Sequence, residues 1–288
     1  MNATLLPLTA AEYHADPAIR PSLSNSIAQI LIDQSPAHAW LKHPRLNPNY
    51  EPDKESKFDL GSAAHVMLLE QRDDCIVRVQ ADDWRTKAAR EARDAAQANG
   101  QYAVLERQYN DIECMVRAAR QFIDRTELKG IFSAGESEQT VIWNDSRGSW
   151  CRCRPDRLNA DRSIILDYKS TPNAAPEAFI MQIGRMGYDL QAEFYIDGVT
   201  ALNGGDEPTF IFLAQETSPP YECSLVSLAE SYRAVGRAKV MQAKRLWAEC
   251  MTTNSWYGYS TRIHYADPKP WDLIRAESAM ASITEGSE

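Results

Sequence analysis

No run of about 18 apolar residues occurs in the 288-residue sequence, so no stretch reads as a membrane-spanning helix. The first apolar patch, residues 5–8, is broken by Pro7 and has no basic flank, so it does not read as a secretory signal. The six cysteines (Cys75, Cys114, Cys151, Cys153, Cys223 and Cys250) contain no C-x-x-C pair, which argues against a clustered-cysteine iron–sulfur or zinc site. Cys151 and Cys153 alternate as they would on a strand, pointing to one buried face, with a metal role as the competing use. Basic excess is missing as well: 31 Lys and Arg stand against 40 Asp and Glu, a net charge of -9. A polyanion-binding chain usually carries a basic signature, although a local basic surface can coexist with an acidic body. Internal repeats and low-complexity segments are also lacking. These absences lead to the expectation of a reduced, cytoplasmic chain with no membrane partner.

What is present is a hydrophobic fraction of 44%, enough for a substantial core. The length suits one elaborated α/β domain over residues 1–288. Within it we expect an N-terminal helical and loop elaboration (1–57), a core (58–250) and an aromatic C-terminal segment (251–288). Residues 1–21, punctuated by Pro7, Pro17 and Pro21, read as irregular. Serines and an asparagine at 22–26 offer N-caps for a helix carrying Ile27, Ile30 and Leu31, and a second helix starts near Pro36. Residues 58–70 read as a buried helix with small residues at its start. His65 on it is either a hydrogen-bonded core residue or a functional one. After a short strand at 75–79, a charged helix bearing Arg85, Lys87, Arg90 and Arg93 runs to Asn99-Gly100, either as a solvated face or as a DNA-facing arm. A long amphipathic helix is expected over 103–125.

Beyond Gly130 the pattern changes to strands. Residues 138–143, 149–158 and 163–169 read as three antiparallel strands joined by turn sequences. Pairing across the second turn sets Asp156, in Arg154-Pro155-Asp156, nearly opposite Asp167, in Leu166-Asp167-Tyr168-Lys169. Asp167 and Lys169 are two apart and project from one face. Two such carboxylates, with the Tyr168 backbone carbonyl as a third oxygen, suit a hard divalent cation such as Mg²⁺. A lysine beside them can hold or deprotonate an attacking water, and the chemistry would be phosphodiester hydrolysis. A salt-bridged hairpin would carry the same three residues. The local charge favours the former: between Arg147 and Lys169 six basic residues face three acidic ones, a net +3 within a chain of -9. Arg152, Arg154 and Arg157 are candidates for phosphate contact, against ordinary sheet-edge arginines. Downstream, Gln191 and Tyr195 share a helix face at i, i+4.

His65, Pro155-Asp156, Asp167-x-Lys169 and Gln191-x-x-x-Tyr195, in that order, resemble the RecB-type subset of the PD-(D/E)XK nuclease superfamily. The wording around them (Phe-Asp-Leu-Gly-Ser-Ala-Ala-His, Arg-Cys-Arg-Pro-Asp-Arg, Leu-Asp-Tyr-Lys-Ser-Thr) is similar to the RecE family, that of the exodeoxyribonuclease VIII nuclease domain. The resemblance runs from about residue 22 to the C-terminal aromatic segment. It implies an α/β fold, a restriction-endonuclease-like core with a central mixed sheet flanked by helices. It further implies a Mg²⁺-dependent exonuclease, with Mn²⁺ able to substitute, that degrades one strand of linear duplex DNA from its 5′ end and leaves a 3′ tail for an annealing protein. By the same resemblance His65, Asp156 and Asp167 are metal-site residues and Lys169 activates water. Gln191 and Tyr195 position DNA or the lysine. Glu138, on the strand before the hairpin, is a candidate for a further carboxylate, with Glu136 as competitor and a solvent-exposed role as the alternative for either. Family members form closed rings, so a homo-oligomeric ring, trimer or tetramer, is expected. Exodeoxyribonuclease VIII carries a long N-terminal extension, and this sequence resembles its stand-alone nuclease domain.

Overall fold

The computed structural model describes residues 3–52, 60–99 and 101–285. The chain divides into two compact units, Met1–Tyr257 and Gly258–Glu288.

The first unit is built on two sheets. One takes the order β1 (Ala3–Leu6), β6 (Thr140–Asn144), β7 (Trp150–Cys153), β2 (Leu23–Ser24). The other runs β11 (Cys223–Ser227), β10 (Thr209–Glu216), β9 (Ile164–Thr171), β8 (Arg157–Leu158), β5 (Glu136–Ser137). It is mixed: β9 pairs parallel with β10, whereas β8 with β9 and β10 with β11 are antiparallel. A parallel pair needs a crossover, and two helices, α7 (Pro176–Met186) and α8 (Tyr188–Leu202), provide it. A separate pair, β3 (Ile76–Val79) with β4 (Tyr102–Leu105), is also parallel and is bridged by α5 (Lys87–Ala98). The expected α/β class with a mixed sheet flanked by helices is what the chain adopts.

Several expectations need correction. Residues 1–21 are not irregular throughout: β1 pairs antiparallel with β6, Ala3 opposite Trp143, and α1 (Ala10–His14) follows, opened by a Thr9–Glu12 capping box. The strand expected over 149–158 is two strands in two different sheets, β7 and β8, and Arg154-Pro155-Asp156 is the link between them. The aromatic C-terminal segment contains a helix, α10 (Pro270–Glu285), in the second unit. Phe58 and Asp59, at the expected start of the His65 helix, and Gly100, the expected stop of α5, lie outside the described residues.

Packing follows from strand alternation. On β9, Ile165 joins the core formed with α2 (Asn25–Asp33), α8 and α9 (Glu230–Thr253), while Leu166 and Tyr168 join a second core with α4 (Leu60–His65) and α6 (Glu106–Ile123). Asp167 and Lys169, alternating with Leu166 and Tyr168, therefore belong to the α8 side. The first core is aromatic-rich: Trp143, Phe179, Phe194, Phe212 and Trp247 are all nearly fully buried. Each such side chain contributes about 2–3 kcal/mol by leaving water. α8 is buried on nearly every face, the pattern of a central helix. It lies close to its neighbours because Gly198 faces Trp143 and Cys153, where even a Cβ would come within 2.8 Å of the indole. Cys151 and Cys153 are buried and unbridged, as expected of core thiols. Among the described residues no helix is long and apolar enough to cross a membrane.

Candidate active site

Four segments converge where β8 and β9 meet. The β8–β9 register, Arg157 opposite Leu166, carries Asp156 to the level of Asp167. The Tyr168 amide donates to Asp156 Oδ2 at 2.8 Å. Asp167 is fully buried. Its Oδ1 accepts from Gln191 Nε2 at 2.7 Å and its Oδ2 lies 2.5 Å from Lys169 Nζ. Gln191 reaches it because the chain reverses between α7 and α8 at Gly187, whose φ of +70° suits glycine. A side chain there would also run into Gln29, which donates to the Met186 carbonyl.

His65 ends α4, and its Nε2 lies 3.4 Å from Asp156 Oδ2 and 3.2 Å from Glu138 Oε1. Glu138 is not on the strand where it was expected. It sits between β5 and β6 at φ +55°, its amide shared between the carbonyls of Pro155 and Asp156 at 3.2 Å each. A non-glycine residue held in this region costs about 1–3 kcal/mol, and such strain collects at functional sites. Arg154 fixes Glu138 twice, donating from Nε to its carbonyl at 2.9 Å and pairing Nη1 with Oε2 at 3.0 Å. Glu136, the competing carboxylate, is exposed on β5 and lies 4.0 Å from Arg162.

Other placements differ from expectation. Arg152 is buried and spends its guanidinium on the Tyr13 and Ser22 carbonyls and on Asp16 at 3.2 Å. Arg157 is buried as well, donating to the Ile131 carbonyl and to Ser137 Oγ. Arg152 is thus engaged internally, whereas Arg154 and the largely buried Arg157 both line the cavity beside Glu138, where Arg154 is paired with that carboxylate. Tyr195 is packed in the core with its ring edge-on to Phe210, while its helix neighbour Gln191 reaches Asp167. On α5, Lys87 pairs with Glu91 and Arg93 with Asp94 and over the Trp84 ring.

Sequence reasoning missed the lysine's second neighbour. The Tyr188 ring lies 5.1 Å from Lys169 Nζ, and it is itself stacked on Phe179. It also missed the prop beneath Tyr168, whose hydroxyl donates to Gln215, which in turn donates to the Met115 carbonyl.

Electrostatics show a surplus of buried negative charge. Burial, followed by the neighbouring Asp156 carboxylate, pushes Asp167 up to about 7 and Glu138 up to about 8. Asp156 is lowered: burial opposes its charge, but His65, Lys169 and the Tyr168 amide outweigh it. His65 is raised to about 9, since Asp156 and Glu138 overcome its burial. Lys169 is likewise raised by Asp167 and Asp156 against the effect of burial. One buried and two part-buried carboxylates with an imidazole, two of the acids forced toward protonation, form a donor set that a divalent cation would relieve. The residues present fit such an ion.

The sequence matches the family described as PDDEXK-like domain of unknown function (DUF3799) over residues 26–269. The chain belongs to this family. The matched range includes the Pro155-Asp156 and Asp167-Tyr168-Lys169 segments just described. Among solved structures the chain is similar to a "putative exonuclease" from Eubacterium rectale, with a TM-score of 0.58 and 14% identity, over 93% of this chain and 98% of that one. At that identity the likeness shows a shared fold. No curated protein matches the sequence significantly.

Proposed function

We propose that this PDDEXK-like protein is a metal-dependent deoxyribonuclease, an exonuclease acting on linear duplex DNA. The observation that carries the reading is the meeting of Asp156, Asp167 and Lys169 at one point, with His65, Glu138 and Gln191 closing around them. Asp156 and Asp167, with His65 and Glu138, would hold a divalent cation, Mg²⁺ or in its place Mn²⁺. When bound, the cation supplies Lewis-acid stabilisation of the charge developing on the scissile phosphate and lowers the pKa of coordinated water.

The chain's own residues do the rest. Lys169, kept protonated by its carboxylate neighbours, presents an ammonium that orients water and offsets phosphate charge. That favours holding the nucleophile over removing its proton. Gln191 fixes the rotamer of Asp167, and Tyr188 backs the ammonium. In this reading cleavage proceeds from the 5′ end, leaves a 3′ single-stranded tail, and serves cytoplasmic, phage-type recombination by handing the tail to a single-strand annealing protein. The working form would be a homo-oligomeric ring of three or four chains, whose lumen concentrates positive charge while the exterior stays acidic. Family membership and the exonuclease-like fold support the nuclease. Polarity, ring and annealing partner extend the RecE resemblance.

The test uses linear duplexes labelled at either the 5′ or the 3′ end, and closed circles, each with Mg²⁺, Mn²⁺ or EDTA. Mononucleotides are expected from the 5′ label alone, with activity lost in EDTA. Lys169→Ala is expected to lower the rate by about 10²–10⁴. Cutting of closed circles would remove the exonuclease assignment. Absence of cleavage with either cation would remove the nuclease itself.

A further inference from the structure

We infer that Glu70 is an additional carboxylate of the cation site, forming with His65 and Glu138 a three-donor position for a divalent ion. The inference rests on the metal requirement of the proposed nuclease and deepens it. α4 ends at His65, and the next five residues, Val66–Glu70, form a π-helical turn. In an α-helix a residue five positions on lies roughly 140° around the axis, facing away. A π turn closes i to i+5, which brings Glu70 back over His65, and such turns occur frequently at functional sites. Gln71, at φ +54°, then ends the turn.

One donor atom each from His65, Glu70 and Glu138 lies within 4.8 Å of the others, and all three residues are part-buried. The arrangement is assembled from two distant segments. Glu138 is delivered by the kink between β5 and β6 and pinned by Arg154, while the π turn delivers both His65 and Glu70. A cavity of about 630 Å³ is lined by Glu70 and Glu138, leaving room for an ion that keeps part of its water shell. Among the described residues Glu70 is the carboxylate that joins His65 and Glu138 in this set. A donor set with an imidazole nitrogen favours Mn²⁺ over Mg²⁺, because nitrogen ligands suit the softer transition ion.

Mn²⁺ binding to the full-length protein without DNA, followed by electron paramagnetic resonance of the free ion, tests this. Glu70→Gln is expected to weaken Mn²⁺ binding on the order of 10-fold or more. Glu136→Gln, which removes an exposed carboxylate from the same cavity, is expected to leave binding unchanged. The metal-free melting temperature of Glu70→Gln should hold, since the charge removed repels the Glu138 carboxylate but attracts the protonated His65. An unaltered Mn²⁺ isotherm would overturn the assignment, and so would a lowered metal-free melting temperature, which marks a structural role. If wild-type protein shows Glu70-dependent Mn²⁺ binding but cuts no DNA, the nuclease reading fails and the Glu70 assignment stands. If it cuts DNA and Glu70→Gln binds Mn²⁺ normally, only the Glu70 assignment fails.

Discussion

At the scale of residues, the site is a set of carboxylates held closer together than their charges favour. Asp167 near 7, Glu138 near 8 and His65 near 9 all bind protons more tightly in the folded chain than in the unfolded one. For each, folding is favoured while the proton is held and the advantage disappears as pH rises through the folded value. All three act in one direction, so the metal-free protein is expected to lose stability from about pH 4, where Asp167 ionises in the unfolded chain, to about pH 9, the folded value of His65. A divalent cation must displace those protons, so its affinity should climb over the same interval. Thermal unfolding in EDTA and in Mg²⁺ across this range checks both. The melting temperature should fall with pH in EDTA, and the increment from Mg²⁺ should widen. Parallel curves would show that the ion does not bind at these groups.

Asp156, Asp167 and Lys169 were legible in the sequence because a turn and a two-residue alternation suffice to place them together. Glu70 was not, because the α-helical period sends it away from His65 and nothing local announces a π turn. For the arginines the limit is another: sequence reports their charge but not their burial, and Arg152 and Arg157, candidates for phosphate contact, are largely buried.

The elements tell a parallel story. α2 was readable from its period and from Ser24, whose hydroxyl accepts from the Ile27 amide. β9 was readable from the turn sequence that precedes it. β1, β2 and β5 were not, since each has two to four residues and pairs with a strand remote in sequence, as Ala3 does with Trp143. Such strands are defined by their partners rather than by their own composition. Arg152 shows what this long-range stitching is worth. It ties β7 to the Tyr13 carbonyl of α1 and to Asp16, whose carboxylate is fully buried and also accepts from the Ser22 amide and hydroxyl. Arg152→Ala would take the nearest cation from that carboxylate, leaving it Ser22, His43 and Arg45, and would cost about 3 kcal/mol. A melting temperature lower by on the order of 10 °C is expected, with Mn²⁺ binding by the folded fraction unchanged. A variant that melts normally but loses DNA affinity would restore Arg152 to the phosphate surface.

For the whole molecule, the -9 net charge still needs reconciling with a polyanionic substrate. The proposed ring does so by hiding a basic lining inside an acidic shell, and it makes mass the decisive measurement. Light scattering should give three or four times the 32.4 kDa of one chain. A single-chain mass at working concentration would end the ring proposal.

The position of β9 also bears on when the site comes into being. β9 carries Asp167 and Lys169 and lies between β8 and β10. One flank therefore waits for residues 209–216, and Gln191 arrives on the crossover helix before them. A nascent chain that has exposed only its first two-thirds holds every acidic ligand yet has no closed sheet to aim them. The proposed nuclease centre is thus a late product of synthesis, and fragments from interrupted translation are expected to lack it.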